Sequence, residues 1–307
     1  MTEQFVLKFS IVATVLLAVF GIAIGLVSGS FAIVFDGFYS LTDAFMTVLA
    51  LLVSRLIASS ATVPPVKGRL IERFTMGFWH LEPMVLGLNG TLLMGAAIYA
   101  FINAVDSLLT GGRPVEFGPA IAFTLVTMSV ACGMAVFAQR ANRTIRSNFI
   151  ALDAKAWMMS AALTSALLIA FLIGYGVEGT RFAWTAPYID PAVLAAICLF
   201  IVPAPLANVK QALADILLVT PAELKSHVDA VASDVVARFG FLSYRSYVAR
   251  VGRGKQIELF FIVPRDWPAK RLEEWDALRD EIGEALGDEG PDRWLTIVFT
   301  TDPEWAD

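Results

Sequence analysis

Apolar residues run almost unbroken over about 5–27, 31–57, 82–105, 117–138, 149–176 and 188–207. Each run is long enough, at 1.5 Å per helical residue, to cross the roughly 30 Å of hydrocarbon in a bilayer. Asp153 and Lys155 interrupt the fifth run, and Pro203 and Pro205 close the sixth. From Pro221 the period changes. Leu224, Val228, Val231 and Val235 give Ala222–Phe239 a helical stripe, and Pro268–Leu286 is amphipathic in the same way. Ser243–Val251 and Gln256–Pro264 read as strands joined by a turn at Gly252-Arg253-Gly254, with a last strand at Trp294–Thr301. The order α-β-β-α-β predicts a small open α+β sandwich with its helices on one face of the sheet. The expected organisation is a six-helix, all-α transmembrane domain over 1–210 and a soluble α+β domain over 211–307.

Composition strengthens this picture. Of 307 residues, 57% are hydrophobic, and the mean hydropathy of +0.68 is too high for one soluble domain of this size. Residues 1–221 hold 11 acidic against 12 basic side chains, whereas 222–307 hold 17 against 11. An acidic tail argues against a nucleic-acid partner and fits a cytosolic appendage. Arg55, Lys67, Arg69 and Arg73 follow the second run, Arg140, Arg143 and Arg146 the fourth, and Lys210 the sixth, while the alternate loops carry only Arg113 and Arg181. The positive-inside rule then places both termini in the cytoplasm, with the chain embedded in lipid as in a bacterial-type inner membrane. The polar start, Met1 to Lys8, lacks a small-residue cleavage site, so the first run reads as a retained helix. Cys132 and Cys198 lie inside apolar runs and read as small core residues, not as a disulfide framework. No GxxxxGK[ST] pattern occurs, which argues against direct drive by ATP.

Charges inside the spans are the candidate chemistry. A carboxylate near the bilayer midplane costs on the order of 3 kcal/mol, so Asp43 marks an ion or proton pathway, or else a polar contact that holds helices together. Asp36 lies two turns before it on the same face, as an exit ligand or a charge in a wet vestibule. Asp153 and Lys155 sit one to two turns inside the fifth helix. Lys155 either snorkels to the interface or reaches the carboxylates as a stand-in positive charge. At the mouth of the third helix, His80 and Glu82 are candidates for proton loading or gating, beside Trp79 at headgroup depth. Their plainer reading is an interfacial anchor paired with the Arg69/Arg73 loop. His227 reads as a surface residue.

The motifs together resemble the cation diffusion facilitator family. Ser28-Gly29-Ser30 with Asp36 through Asp43 resembles its second helix, and Gly77-Phe78-Trp79-His80-Leu81-Glu82-Pro83 the motif entering its third. Asp190-Pro191 resembles the start of its sixth helix, and Thr300-Thr301-Asp302-Pro303 the end of its soluble domain. The resemblance implies a six-helix transporter with a ferredoxin-like cytoplasmic domain, dimerising through that domain and exchanging a divalent metal for protons. No tightly bound cofactor is implied, because the divalent cation is the substrate.

The family's transport site takes two ligands from the second helix and two from the fifth, each pair spaced i, i+4 so that both groups share a helix face. The second-helix pair falls here on Tyr39 and Asp43. In the fifth helix Ala156 and Ser160 stand where His and Asp are usual, so three of the four ordinary ligands are missing or replaced. His80 and His227, the only histidines, fall at neither position. Asp43, the Tyr39 phenol, the Ser160 hydroxyl and water would make an oxygen-rich site, with Asp36 and Asp153 in reserve. Oxygen ligands favour Mn²⁺, Mg²⁺ or Fe²⁺ over Zn²⁺. In the soluble domain Phe260 and Thr300 occupy places where the family carries regulatory metal ligands, and only Asp302 resembles one. The aromatic residues Phe239, Phe241, Phe260, Phe261, Trp267, Trp275 and Trp294 read as core or dimer contact.

These observations point to a secondary transporter that exports a divalent cation by proton exchange. Two alternatives stay open at this level: a non-transporting membrane scaffold or sensor with a degenerate site, and a carrier of a non-metal solute.

Overall fold

The computed structural model describes residues 3–60, 77–145 and 148–306. Its helices are α1 (Glu3–Ser28), α2 (Phe31–Ser60), α3 (Leu81–Leu109), α4 (Phe117–Ile145), α5 (Asn148–Val177), α6 (Ala186–Ile201) and α7 (Leu206–Ile216), then α8 (Ala222–Phe239) and α9 (Leu272–Leu286). Three strands, β1 (Ser243–Val251), β2 (Gly254–Ile262) and β3 (Arg293–Thr300), complete the fold. Among the described residues six segments are long and apolar enough to cross a membrane, as the run lengths predict, with α6 and α7 falling in one of them, Ala183–Ile216. The chain forms two compact units, Met1–Val48 with Asn89–Ala207, and Leu49–Leu88 with Asn208–Asp307.

The first unit is a bundle held by small residues and aromatic rings. Ala97, Ala100 and Ala104 make a smooth stripe along α3, at helical spacing, and join one buried cluster with Phe117 and Phe123 of α4, Phe171 of α5 and Leu194 and Cys198 of α6. In lipid such packing is driven by close van der Waals fit more than by water exclusion, which is why alanines suffice at these positions. Helices α1 and α2 meet at glycine. A Cβ on Gly37 would come within 2.7 Å of the Ala18 carbonyl oxygen, so only hydrogen fits there. The α1–α2 turn is tight because Gly29 adopts a left-handed φ of +74°.

Asp190 fixes the start of α2. Its Oδ1 accepts a hydrogen bond from Ser30 Oγ, and its Oδ2 accepts one from the Phe31 N–H at 3.0 Å. Ser30 Oγ in turn accepts from the Ile33 N–H, so the serine caps α2 and the carboxylate backs the cap. Asp190 is only 1% exposed, and these donors are what make its burial tolerable.

The C-terminal part is a three-stranded sheet in the order β1-β2-β3, antiparallel between β1 and β2 and parallel between β2 and β3. Ile257, Leu259 and Phe261 alternate on β2 and are buried beneath Val228, Ala232 and Val235 of α8 and Leu278, Ile282 and Leu286 of α9. Both helices thus cover one face, giving the ferredoxin-like layout expected. The β1–β2 loop has two residues, Gly252 and Arg253, closed by the Val251–Gly254 pair, and Gly252 takes the φ of +62° that such a turn requires at its first position. Helix α9 begins at Leu272 and not at Pro268, because Arg271 is still extended (φ −72°, ψ 155°). Phe299 collects Trp275, Phe261 and Phe241 around it, the nearest ring centroid, that of Trp275, at 4.6 Å.

Most of the aromatic residues of this domain are core, as expected. Phe241 and Phe261 are buried, and Phe239, Trp267 and Trp275 pack against them. Phe260 points to the other face and meets Tyr247 edge-on. Cys198 is likewise a buried core thiol. The reading of Cys132 as a core residue is corrected: it is exposed on the outer surface of α4, where an apolar solvent tolerates a thiol as readily as a methyl group.

Candidate cation site

Helix periodicity assembles the site. Asp36, the adjacent Tyr39 and Ser40, Asp43 and Thr47 recur at intervals of three or four residues, so α2 presents them along one side. Helix α5 supplies Asp153, Ala156, Trp157 and Ser160 on the same principle. These residues line one cavity of about 220 Å³, which α1 completes with Ser10 and Thr14 and α4 with Phe123 and Thr127. All five candidate ligands named from the sequence, Asp36, Tyr39, Asp43, Asp153 and Ser160, therefore border the same space. Ala156 borders it too and contributes a methyl group.

The polar groups around the cavity are fixed by contacts that the sequence does not announce. Ser10 Oγ donates to Asp153 Oδ1 at 2.6 Å, and the Trp157 indole N–H donates to Ser10 Oγ at 2.7 Å. Asn89 of α3 reaches the Asp43 carboxylate with its side-chain amide. The Asn89 Oδ1, Thr127 Oγ1 and Asp153 Oδ2 atoms are buried and have no hydrogen-bond partner among the described residues. Asn89 was missed because a single amide in an apolar run carries little weight, although it is one of few polar side chains along α3. Ser10 and Thr14 offered a better signal, since they stand i, i+4 in an otherwise apolar first helix.

The other candidates lie elsewhere. Lys155 is exposed and does not border the cavity. His80 precedes α3 in a turn, and Glu82 lies in the first turn of α3. The Arg69/Arg73 loop lies outside the described residues. Glu82 receives a forked contact from Arg253, Nε at 2.8 Å to Oε2 and a terminal nitrogen at 3.2 Å to Oε1, and Gly254 lets the β1–β2 turn approach the Trp79 ring. Asp302 caps the terminal turn by accepting from the Glu304 N–H at 3.2 Å. His227 is exposed and donates from Nε2 to the Leu286 carbonyl.

Among the described residues no three His, Cys, Asp or Glu side chains converge as a metal-holding group. The cavity wall carries separated carboxylates together with hydroxyls and a phenol.

Six apolar helices with carboxylates along an internal cavity define a multi-pass membrane carrier for cations. A model of the cation efflux transmembrane domain matches residues 7–217, well over half the chain, and the protein belongs to the cation efflux family, a family of transporters and not of enzymes. No match was found among curated proteins.

Proposed function

We propose that this protein is a secondary transporter that moves a divalent cation out of the cytosol in exchange for protons. Asp43 is the central ligand, alternating between proton and metal, with Tyr39, Ser160 and water completing its shell. Asp36 and Asp153 border the same cavity. The favoured cargo is a hard ion of the Mn²⁺, Fe²⁺ or Mg²⁺ type. Both termini face the cytosol, and the functional unit is a homodimer joined through the C-terminal domain. The single observation that supports this reading most is the cavity in which Asp36, Tyr39, Asp43, Asp153 and Ser160 all take part. The test is metal-dependent proton movement in proteoliposomes, screened over Mn²⁺, Fe²⁺, Co²⁺, Zn²⁺, Cd²⁺ and Mg²⁺, for wild type and Asp43→Asn. Flux with one or two ions that disappears in the variant is the expected result. Flux with none of them overturns it.

A second reading, a membrane scaffold or sensor, draws on Ala156, whose methyl group takes wall space that a metal ligand would need. It expects Asp43→Asn to change neither flux nor fold.

A further inference from the structure

The cavity contains one carboxylate that is built into place by another helix. Asp153 is held through Oδ1 by the Ser10 hydroxyl, and Ser10 is itself held by the Trp157 indole. The direction of this relay is fixed. An indole nitrogen can only donate, so the serine accepts from Trp157 and spends its one proton on Asp153. Asp153 Oδ2 is left buried without a partner among the described residues, at the edge of the cavity. Thr127 Oγ1 is also unpartnered, on a side chain only 5% exposed, and lines the same cavity. Buried polar atoms without partners are uncommon and call for an unseen occupant.

The spacing along α5 separates this arrangement from Ser160, the residue that α5 contributes to the proposed Asp43 shell. Asp153 precedes Ser160 by seven residues, about 10 Å of helix rise. Thr47, one turn beyond Asp43 on the same face of α2, is a further hydroxyl on the cavity wall. The carboxylate oxygen, nearby hydroxyls and retained water are the surroundings in which small hard dications bind without a closed protein cage.

We infer that Asp153, oriented by Ser10 and Trp157, is a second cation station of the cavity, where the cargo dication is held in partly hydrated form apart from the Asp43 site. This rests on the transporter reading above and adds to it a place where the ion waits. Ser10 and Trp157 are positioning residues here, acting through Asp153.

The experiment is Mn²⁺ binding to the purified full-length protein in nanodiscs, by equilibrium dialysis with electron paramagnetic resonance of the bound ion. Wild type is expected to hold two Mn²⁺ per protomer, with the dipolar spin broadening of two ions that share one cavity. Asp153→Asn should hold one, with no such broadening and with the affinity of the Asp43 site unchanged. Ser10→Ala and Trp157→Phe, which keep the carboxylate, should weaken the second ion by about 10- to 100-fold, the usual effect of losing a partner behind a ligand. One Mn²⁺ per protomer in wild type, lost in Asp43→Asn and kept in Asp153→Asn, overturns the second station and leaves the transporter reading standing. Two Mn²⁺ retained in Asp153→Asn also overturns it. No Mn²⁺ bound by wild type overturns both.

Discussion

Asp190 caps the helix that carries Asp43: its two carboxylate oxygens take the Ser30 hydroxyl and the Phe31 N–H, 160 residues and one residue fewer away in sequence. The first turn of α2 is thus anchored by a residue of α6. Asp190→Ala leaves a buried and a partly buried donor unpaired, the buried one at a cost of about 1–3 kcal/mol. The expected result is a marked fall in the thermal midpoint in detergent, with Asp190→Asn intermediate because its amide oxygen can still accept one of the two bonds.

Asn89 backs the Asp43 carboxylate from α3. Replacing it with Leu is expected to keep the fold and to weaken cation binding at Asp43 by about 10- to 100-fold. Isothermal titration with the transported ion checks this. Unchanged affinity would remove Asn89 from the site.

Gly37 marks a close approach of α1 and α2. Gly37→Ala is expected to destabilise by about 1–3 kcal/mol, because the new methyl group has the Ala18 carbonyl and the Ile22 backbone against it. Gly95→Ala is the control, since nothing lies within 4 Å of its Cβ position. Chemical denaturation of the two variants side by side should separate them clearly.

The Glu82–Arg253 fork is partly solvated, with side-chain exposures of 25% and 38%. Glu82→Gln should therefore cost no more than about 1 kcal/mol, and the loss should shrink in high salt. Limited proteolysis of the β1–β2 turn, which carries Arg253, gives a direct readout.

Asp229 in the C-terminal domain is held below the usual carboxylate range. Partial burial pushes it up, but hydrogen bonds from Lys225 and Ser246 and the Lys225 charge outweigh that. A depressed folded-state value means that its contribution is present above the unfolded value of about 4 and is lost as pH falls through the lower, folded one. Asp229→Asn should thus lower the thermal midpoint at neutral pH, and the gap to wild type should close below about pH 4.

Much of this protein can be read from its sequence for a simple reason. Span length and charge cost are local quantities, so six helices and the cavity carboxylates show themselves one segment at a time. The α-β-β-α-β order of the tail is likewise written in periods of 2 and 3.6. What cannot be read locally is which faces meet. Ser10 and Asp153 lie 143 residues apart, and nothing in either segment names the other. The same holds for Asn89 beside Asp43 and for Arg253 on Glu82, which lie 171 residues apart. Cys132 shows the opposite failure, because in an apolar span hydrophobicity alone cannot distinguish a core face from a lipid face.

The two thiols give the protein a built-in chemical contrast. Cys198 is fully enclosed by the bundle, whereas Cys132 projects from α4. A membrane-permeant maleimide should therefore modify one cysteine in the folded protein and both after denaturation. Intact mass spectrometry can then score the integrity of the bundle on unmutated protein, without a cysteine-free background.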